Sequence, residues 1–313
     1  MSVPTIDLSN PSAASLAALD AACRDHGFFL IEGHGLDAVI ERTWDATERF
    51  FASKPQQKHQ LMRKEGQPTG YYDRELTKRV RDRKEVFDLL SPALPPEFST
   101  NVWPDWMPDV QETITEYFDV MGAAAEKTLQ LVLTALNLPP DIAAQHHGSS
   151  LGSLMRLNHY TLDDPTPASD RESLAPLGDL ALGPHTDPGV ITLLLQDQTG
   201  GLQTESAEHG WIDVPPRPGT IVVNLGDSLQ VWSNDQYKAA VHRVTPMRET
   251  DRYSIPFFLN PTFDAVIEPI PELCDGNPRY RPFTWREFGI GRANDNYADL
   301  GAEDIQISKY GVT

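Results

Sequence analysis

The run GPHTDPGVITLLLQD, residues 183–197, joins a His-x-Asp pattern to an apolar stretch of strand-forming residues. In an extended segment, residues two apart point to the same side, so His185 and Asp187 can converge on one ion. A second histidine, His242, follows in the run YKAAVHRV, residues 237–244. Two imidazoles and one carboxylate are the ligand set that holds non-haem Fe(II) on one face and leaves the other positions open. We therefore predict a metal site made of His185, Asp187 and His242.

A second pattern strengthens this prediction, because His-x-Asp alone arises often by chance. It lies in the run DRYSIPFFLNP, residues 251–261, where Arg252 and Ser254 are two apart and share a strand face. A guanidinium makes a two-point contact with a carboxylate, and a neighbouring hydroxyl can donate one further bond. Pro256 and Phe258 continue the same face, which favours an interior carboxylate clamp over the alternative of a surface ion pair on a solvated strand.

Together these motifs resemble the 2-oxoglutarate/Fe(II)-dependent dioxygenase superfamily, and within it the isopenicillin N synthase-like branch. The resemblance covers nearly the whole chain. The further stretches that carry it are VPTIDLS (3–9), GFFLIEGHG (27–35), DRKEVFDL (82–89), GGLQ (200–203) and the run from 215 to 244. Asn158 and Tyr160 also match the family, whereas His159 between them departs from it, since many relatives carry Tyr there. We expect this departure to leave the site intact, because the middle residue points to the other face of the strand.

The resemblance implies a mainly β fold with flanking α-helices, namely a double-stranded β-helix (jelly-roll) core with N-terminal helices. It implies an oxygenase that uses Fe(II), 2-oxoglutarate and O₂, with ascorbate as an expected stimulant. The cosubstrate would chelate iron through its 1-carboxylate and 2-keto oxygen. Its far carboxylate would meet Arg252 and Ser254, helped by Tyr160, with Asn158 near the metal. Succinate and CO₂ would be released while a small organic metabolite is hydroxylated, desaturated or cyclised.

Periodicity in the sequence agrees with such a fold. Three helices are predicted. The first covers residues 12–25, with Ala and Leu on its buried side. In the other two, apolar residues recur at threes and fours from Leu36 to Phe51, in a helix that ends before Pro55, and from Val110 to Val132, in a helix that stops at Pro139. Beyond about residue 151, short apolar runs alternate with turn residues, as in a barrel or jelly roll. The predicted strands are 28–31, 191–196, 211–214, 220–225, 239–244 and 252–259. Residues 56–83 read as polar and irregular, and residues 163–182 as a surface loop. We expect a mixed region over 1–150 that packs on a core over 151–313 as one compact unit.

Composition narrows the class of protein further. A net charge of −19 over 313 residues repels phosphates and anionic lipid heads, which argues against nucleic-acid and membrane partners. The family resemblance implies a small-molecule substrate as the partner. The N-terminus lacks the pattern of a signal peptide, and no apolar run reaches the length of a membrane span. Cys23 and Cys274 are far apart and are predicted to be free thiols. The chain reads as a cytoplasmic protein, and its oligomeric state is not set by the sequence.

Two other functions fit part of these observations. One is a 2-oxoglutarate-independent Fe(II) oxidase of the isopenicillin N synthase or 1-aminocyclopropane-1-carboxylate oxidase type, in which the equivalent Arg and Ser bind a different carboxylate. The other is a non-catalytic small-acid-binding jelly-roll protein, which would not need open coordination positions. Substrate contacts are predicted from residues 67–78, which include Tyr71 and Tyr72, and from the C-terminal segment that begins at Trp285.

Overall fold

The structure is a computed structural model that describes residues 3–64, 67–77, 79–95, 97, 99–294 and 305–312. Within these ranges the α-helices are α1 (Ala13–Asp25), α2 (Asp37–Phe51), α3 (Pro55–Gln60), α4 (Asp109–Ala135), α5 (Pro140–Ala143), α6 (Asp227–Trp232) and α7 (Trp285–Asn294). The strands of the N-terminal half are β1 (Thr5–Asp7), β2 (Phe28–Glu32), β3 (Gly70–Tyr72), β4 (Leu76–Thr77), β5 (Val80–Arg81) and β6 (Lys84–Leu90). The strands of the C-terminal half are β7 (Leu154–Tyr160), β8 (Leu182–His185), β9 (Ile191–Gln196), β10 (Leu202–Ser206), β11 (Gly210–Asp213), β12 (Ile221–Leu225), β13 (His242–Val244), β14 (Arg252–Leu259), β15 (Val266–Ile267) and β16 (Phe283–Thr284).

Two facing sheets form the centre of the molecule. The larger has the strand order β1-β2-β12-β9-β14-β7-β6-β3, and the smaller has the order β11-β10-β13-β8. Strands β7 to β14 therefore supply four strands to each sheet, which is the arrangement of a jelly roll, and N-terminal strands extend the larger sheet at both edges. The predicted double-stranded β-helix core with N-terminal helices is confirmed.

One face of the larger sheet packs on the N-terminal helices. Phe257 of β14 lies opposite Leu193 of β9 and Met155 of β7, and residues directly opposite in register point to the same face. The Phe257 ring meets Phe118 of α4 edge to face, with centroids 5.0 Å apart. This face and α4 thus share the main hydrophobic core.

The other face of the larger sheet points toward the smaller sheet. Its apolar members Leu194 and Val222 pack in a second, smaller core with Leu202 and Val244 of the smaller sheet. Between these residues the same face carries polar side chains, so the space between the two sheets is where a site can be built.

Helix boundaries follow local signals. Helix α1 begins after Ser12, whose hydroxyl accepts from the Ser15 amide at 3.0 Å while the Ser15 hydroxyl accepts from the Ser12 amide at 2.8 Å. This reciprocal capping satisfies two backbone donors that the first turn leaves unpaired. The three predicted helices agree with α1, α2 and α4 to within a few residues.

Short elements were less predictable. Residues 56–83, predicted to be irregular, contain most of α3 and all of β3, β4 and β5. Strands of two or three residues are too short to show a repeated alternation of apolar and polar residues, so their own sequence carries little periodicity. The predicted loop 163–182 is anchored, because Arg81 makes two contacts with Asp164, at 2.9 and 3.1 Å, and one with the buried Thr166.

Two expectations from composition can be compared with the structure. Cys23 and Cys274 are both free and buried, as predicted. Of the helices in the ranges described above, none combines the length and the apolar character that a bilayer crossing requires. The cytoplasmic location stays a prediction.

Candidate metal and cosubstrate site

His185 and His242 face each other on neighbouring strands of the smaller sheet. They are paired in register, His185 at the end of β8 and His242 at the start of β13. The Nε2 atoms of the two rings lie 3.8 and 3.9 Å from the same atom, Oδ1 of Asp187. The three side chains each offer a ligand atom, and these atoms all lie within 4.8 Å of one another.

The backbone orients both imidazoles. Nδ1 of His185 lies 2.9 Å from the carbonyl oxygen of Gly183, and Nδ1 of His242 lies 2.9 Å from that of Ala240. A carbonyl only accepts, so Nδ1 of each ring carries the proton and Nε2 presents its lone pair toward Asp187. Burial, together with the neighbouring His242, lowers the pKa of His185 to about 3. That ring is therefore neutral at physiological pH, as a metal ligand must be.

Asp187 is held by two side chains of the larger sheet. Its Oδ2 accepts from the Thr192 hydroxyl at 2.5 Å and from the Asn224 amide at 2.8 Å. Burial raises the pKa of this carboxyl, but the two histidines and these two hydrogen bonds outweigh that effect and lower it below its ordinary value. The carboxylate stays ionised, with Oδ1 left for a metal. Two imidazole nitrogens and one carboxylate oxygen on one side of a point are a donor set that fits Fe(II).

Thr192 and Asn224 are site residues that the sequence analysis missed. They lie opposite each other on β9 and β12 and share the face that points between the sheets. A signal was present, since each is the one polar residue within an apolar strand core, ITLLL and IVVNL. A buried polar side chain needs a partner, and here both partners are the Asp187 carboxylate.

The four residues predicted to hold the cosubstrate lie together on that same face; we call Asn158, Tyr160, Arg252 and Ser254 the clamp. Arg252 pairs in register with Tyr160, and Ser254 with Asn158. The Arg252 guanidinium carbon lies 4.9 Å from the centre of the Tyr160 ring. The Asn158 amide donates to the Ser254 hydroxyl at 3.2 Å. Two strands thus present their four side chains side by side.

Arg252 is fully buried and lacks an anionic partner among the described residues. Its exposed fraction is 0%, and its Nη2 donates to Oε1 of Gln196 at 3.3 Å. Its Nε and Nη1 meet no hydrogen-bond acceptor in the described part of the chain, and the same holds for the buried Oδ1 of Asn158. Burial of a charge without a partner costs roughly several kcal/mol of folding free energy. The buried guanidinium therefore indicates a site for an anion.

Comparison with known proteins agrees with this geometry. The family described as "2OG-Fe(II) oxygenase superfamily" matches residues 151–261, and the family described as "non-haem dioxygenase in morphine synthesis N-terminal" matches residues 3–106. Gibberellin 20 oxidase 1 of Arabidopsis thaliana is 32% identical over 306 residues, which cover 92% of this chain and 78% of that protein. The chain belongs to the 2OG-Fe(II) oxygenase superfamily.

Other members of the superfamily are similar over most of their length. Flavonol synthase/flavanone 3-hydroxylase of Matthiola incana is 31% identical over 292 residues, which cover 91% of this chain and 96% of that protein. The crystal structure of JOX2 in complex with 2OG, Fe and JA has a TM-score of 0.78 at 29% identity and covers 93% of this chain and 84% of that one. The dioxygenase for auxin oxidation in rice has a TM-score of 0.74 at 25% identity and covers 99% and 100%.

The relatives named above and the solved structure that contains 2OG and Fe, taken with the family match, decide between the functions that the sequence left open. The protein is a non-haem Fe(II)- and 2-oxoglutarate-dependent dioxygenase, and O₂ is its second cosubstrate. This supports the main prediction over the 2-oxoglutarate-independent oxidase and over a non-catalytic binding protein.

A network of buried charges adjoins the clamp in this 2OG-Fe(II) oxygenase. Arg156, two residues before Asn158 on β7, contacts Glu75 at 2.8 Å and Asp88 at 2.6 Å. Lys84, opposite Tyr160 in register, contacts Glu75 at 2.9 Å. Arg63 completes the network through Glu75 and Asp88. Lys84 also lies 3.7 Å from the buried Asp82 carboxylate, so three cations face three carboxylates here, in contrast to Arg252.

The residues predicted to face the substrate divide between two environments. Tyr71 is in the core, since it lies opposite Phe87 and its hydroxyl donates to Glu85 at 2.5 Å, so its predicted pocket position is wrong. Tyr72 lies opposite Val86 and shares the face of the clamp, because alternate residues of a strand point to opposite faces. Lys78 lies outside the described residues.

The C-terminal segment approaches the metal motif. Arg292 of α7 donates to the carbonyl oxygen of Thr186 at 2.7 Å, and Thr186 stands between two of the predicted metal ligands. Helix α7 thus lies against the metal motif, and substrate contact by this segment stays a prediction. Residues 295–304 and 313 lie outside the described ranges.

Proposed function

We propose that His185, Asp187 and His242 bind the Fe(II) of this dioxygenase, and that the clamp binds 2-oxoglutarate. The observation that carries the cosubstrate assignment is the buried Arg252 guanidinium, which has no carboxylate partner in the described structure. It lies on the sheet face that also bears the Asp187 partners Thr192 and Asn224, so an anion on Arg252 would extend toward the metal ligands.

Each residue then has a distinct task. The two histidines and Asp187 fix three positions on one face of the iron and leave the others open. Arg252 and Ser254 bind the far carboxylate, Tyr160 covers the guanidinium, and Asn158 has a buried Oδ1 without a partner in the described structure. When bound, iron and 2-oxoglutarate together activate O₂ for oxidation of the substrate, with release of succinate and CO₂.

We propose a small organic metabolite as the substrate, to be hydroxylated, desaturated or cyclised. Support comes from relatives whose names refer to gibberellin, flavonols and homoarginine. A net charge of −19 argues against nucleic acid and anionic membrane surfaces as partners. A metabolite library, incubated with Fe(II), ascorbate, O₂ and 2-oxoglutarate, should contain a compound that raises succinate production above the rate without substrate.

The metal assignment is tested by the substitutions His185→Ala, Asp187→Ala and His242→Ala. Each should abolish both stoichiometric Fe(II) binding in anaerobic protein and succinate formation, because two ligands cannot hold a labile ferrous ion in a fixed geometry. Thermal unfolding of the metal-free variants serves as the folding control. Wild-type iron binding and turnover in any of the three would contradict the assignment.

A further inference from the structure

His159 lies directly behind the clamp. It stands on β7 between two clamp residues and points to the opposite face of the sheet. In register it pairs with Tyr253, which stands between the other two clamp residues on β14. The two rings are stacked, with centroids 4.4 Å apart and planes 3° from parallel. A movement of this pair would therefore displace all four clamp side chains.

Both nitrogens of His159 meet carboxylates. Nδ1 lies 2.7 Å from Oε1 of Glu85, and Nε2 lies 2.9 Å from Oδ2 of Asp251. An ionised carboxylate only accepts, so the ring donates from both nitrogens and is an imidazolium. His159 is 8% exposed, and Phe51 covers it with a ring centroid 5.3 Å away.

The charges around His159 balance. Glu85 also accepts from Lys58 Nζ, at 2.6 and 2.8 Å, and from the Tyr71 hydroxyl. Burial raises the pKa of Glu85, but the hydrogen bonds from His159, Lys58 and Tyr71 outweigh it, so the carboxyl is ionised. Two cations, Lys58 and His159, thus face two anions, Glu85 and Asp251.

These contacts link three adjacent strands at the level of the clamp. Glu85 belongs to β6, His159 to β7, and Asp251 immediately precedes β14. Asp251 also accepts through Oδ1 from the Leu162 amide at 2.9 Å, which joins the end of β7 to the start of β14. A Tyr at position 159 would have one hydroxyl and could serve only one of the two carboxylates.

We propose that His159 is a positioning residue for 2-oxoglutarate, because its imidazolium fixes β7 against β14 so that the four clamp side chains converge on the far carboxylate. This inference rests on the proposed function of the clamp. It revises the expectation that a departure from the family at this position has no consequence for the site.

The test compares wild type with His159→Phe, Asp251→Asn and the double variant. Phe keeps a ring for stacking but removes both donors, which leaves two carboxylates close together. We expect His159→Phe to raise the 2-oxoglutarate Kd about tenfold, since charge-assisted bonds that hold the clamp are lost. Asp251→Asn alone should raise it about threefold by the same reasoning. In the double variant, Asp251→Asn removes one of the two carboxylates that His159→Phe leaves close together, so the affinity for 2-oxoglutarate should recover in part.

The measurement is a titration of anaerobic Fe(II) protein with 2-oxoglutarate, followed by the charge-transfer absorption of the keto-acid chelate. Fe(II) affinity is determined in parallel and should change little. Tm should fall in His159→Phe and recover in part in the double variant, because Glu85 and Asp251 lose the cation that they share. The matched control is His146→Phe, since that ring also bonds through Nδ1, to the Ile142 carbonyl at 3.0 Å, and meets Trp232 edge on, at 5.3 Å. It should leave the 2-oxoglutarate Kd unchanged.

Three outcomes would overturn the inference about His159. A wild-type 2-oxoglutarate Kd in both His159→Phe and Asp251→Asn overturns the inference alone. Loss of Fe(II) affinity and Tm in step with 2-oxoglutarate affinity, without recovery in the double variant, assigns His159 to general folding and also overturns it. Absence of the absorption band in wild type instead overturns the proposed function, and with it this inference.

Discussion

The Arg252 guanidinium combines complete burial with two nitrogen donors that meet no acceptor in the described structure. If 2-oxoglutarate supplies that acceptor, Arg252→Lys should weaken its binding strongly, because Lys keeps the charge but loses the planar two-point fork. Loss of one charge-assisted bond costs about 1.5–3 kcal/mol, or roughly 10- to 150-fold in affinity. The 2-oxoglutarate Kd of anaerobic Fe(II) protein measures the effect.

The companion change Ser254→Ala should do less. It removes one neutral hydroxyl donor, worth about 1 kcal/mol, or roughly fivefold in Kd. Iron content should survive both changes, because neither residue is a proposed ligand. Unchanged 2-oxoglutarate affinity with Arg252→Lys would count against the clamp and would favour a different carboxylate as its ligand.

Asp82 gives a prediction on pH. Burial, the largest cause, raises its pKa from 3.8 to about 6, against the opposing effect of Lys84. Between these values the folded protein keeps a proton that the unfolded chain has released, so stability falls as pH rises from about 4 to about 6. Asp82→Asn removes this dependence. The free energy of unfolding of the variant, minus that of wild type, should therefore be about 2–3 kcal/mol larger at neutral pH than near pH 4.

The measurement for Asp82 is chemical denaturation of both proteins at several pH values. Thr77 donates to the Asp82 carboxylate at 2.9 Å, and an Asn side chain retains an acceptor oxygen for this bond. A stability difference that is the same at each pH would show that Asp82 does not titrate in this range.

Among the elements, β6 and β7 depend on the buried ion network beside the clamp. Glu75 contacts Lys84 at 2.9 Å and Arg156 at 2.8 Å, and its side chain is 4% exposed. Glu75→Gln would leave these cations, with Arg63, short of one buried negative charge. Removal of one partner of a buried pair is strongly destabilising, so we expect a loss of about 3–5 kcal/mol in the free energy of unfolding.

The control for this network is an exposed pair on the helices. Glu116→Gln breaks the contact with Arg42 at 2.6 Å, where both side chains are 50% exposed. Solvent screens such a pair, so its loss should cost less than about 1 kcal/mol. Equal effects of Glu75→Gln and Glu116→Gln in urea denaturation would show that the network adds little to stability.

For the molecule as a whole, the larger sheet draws its strands from both halves of the chain. Strand β2 pairs with β12, β6 pairs with β7 along its full length, and α4 covers the sheet. We therefore predict that the division into 1–150 and 151–313 is not one between independently folding parts. The full chain should unfold in a single transition, because both segments share one core.

The fragment 151–313 tests this prediction. Without the first half it would expose the β7 edge and the apolar face that packs on α4, so it should be unfolded or aggregated. Far-UV circular dichroism and calorimetry of the fragment, with the full chain as the control, measure this. A fragment with a cooperative transition near that of the full chain would contradict it.

The sequence by itself was enough to find the candidate metal and clamp residues and the fold. His185 and Asp187, like Arg252 and Ser254, lie two apart, and strand alternation places such pairs on one face regardless of the rest of the molecule. The long helices and the strands β9 and β14 were equally predictable, since each repeats its apolar pattern over enough residues to be recognised.

Only the tertiary structure decided which distant residues complete the site. Thr192 and Asn224 bind Asp187, and His159 meets Glu85 and Asp251, through strand pairings between segments far apart in the chain. The direction in which Tyr71 points was settled by the register of β3 on β6. A shift of one residue in register moves every side chain to the other face, and register is fixed by the packing of the whole sheet rather than by local sequence.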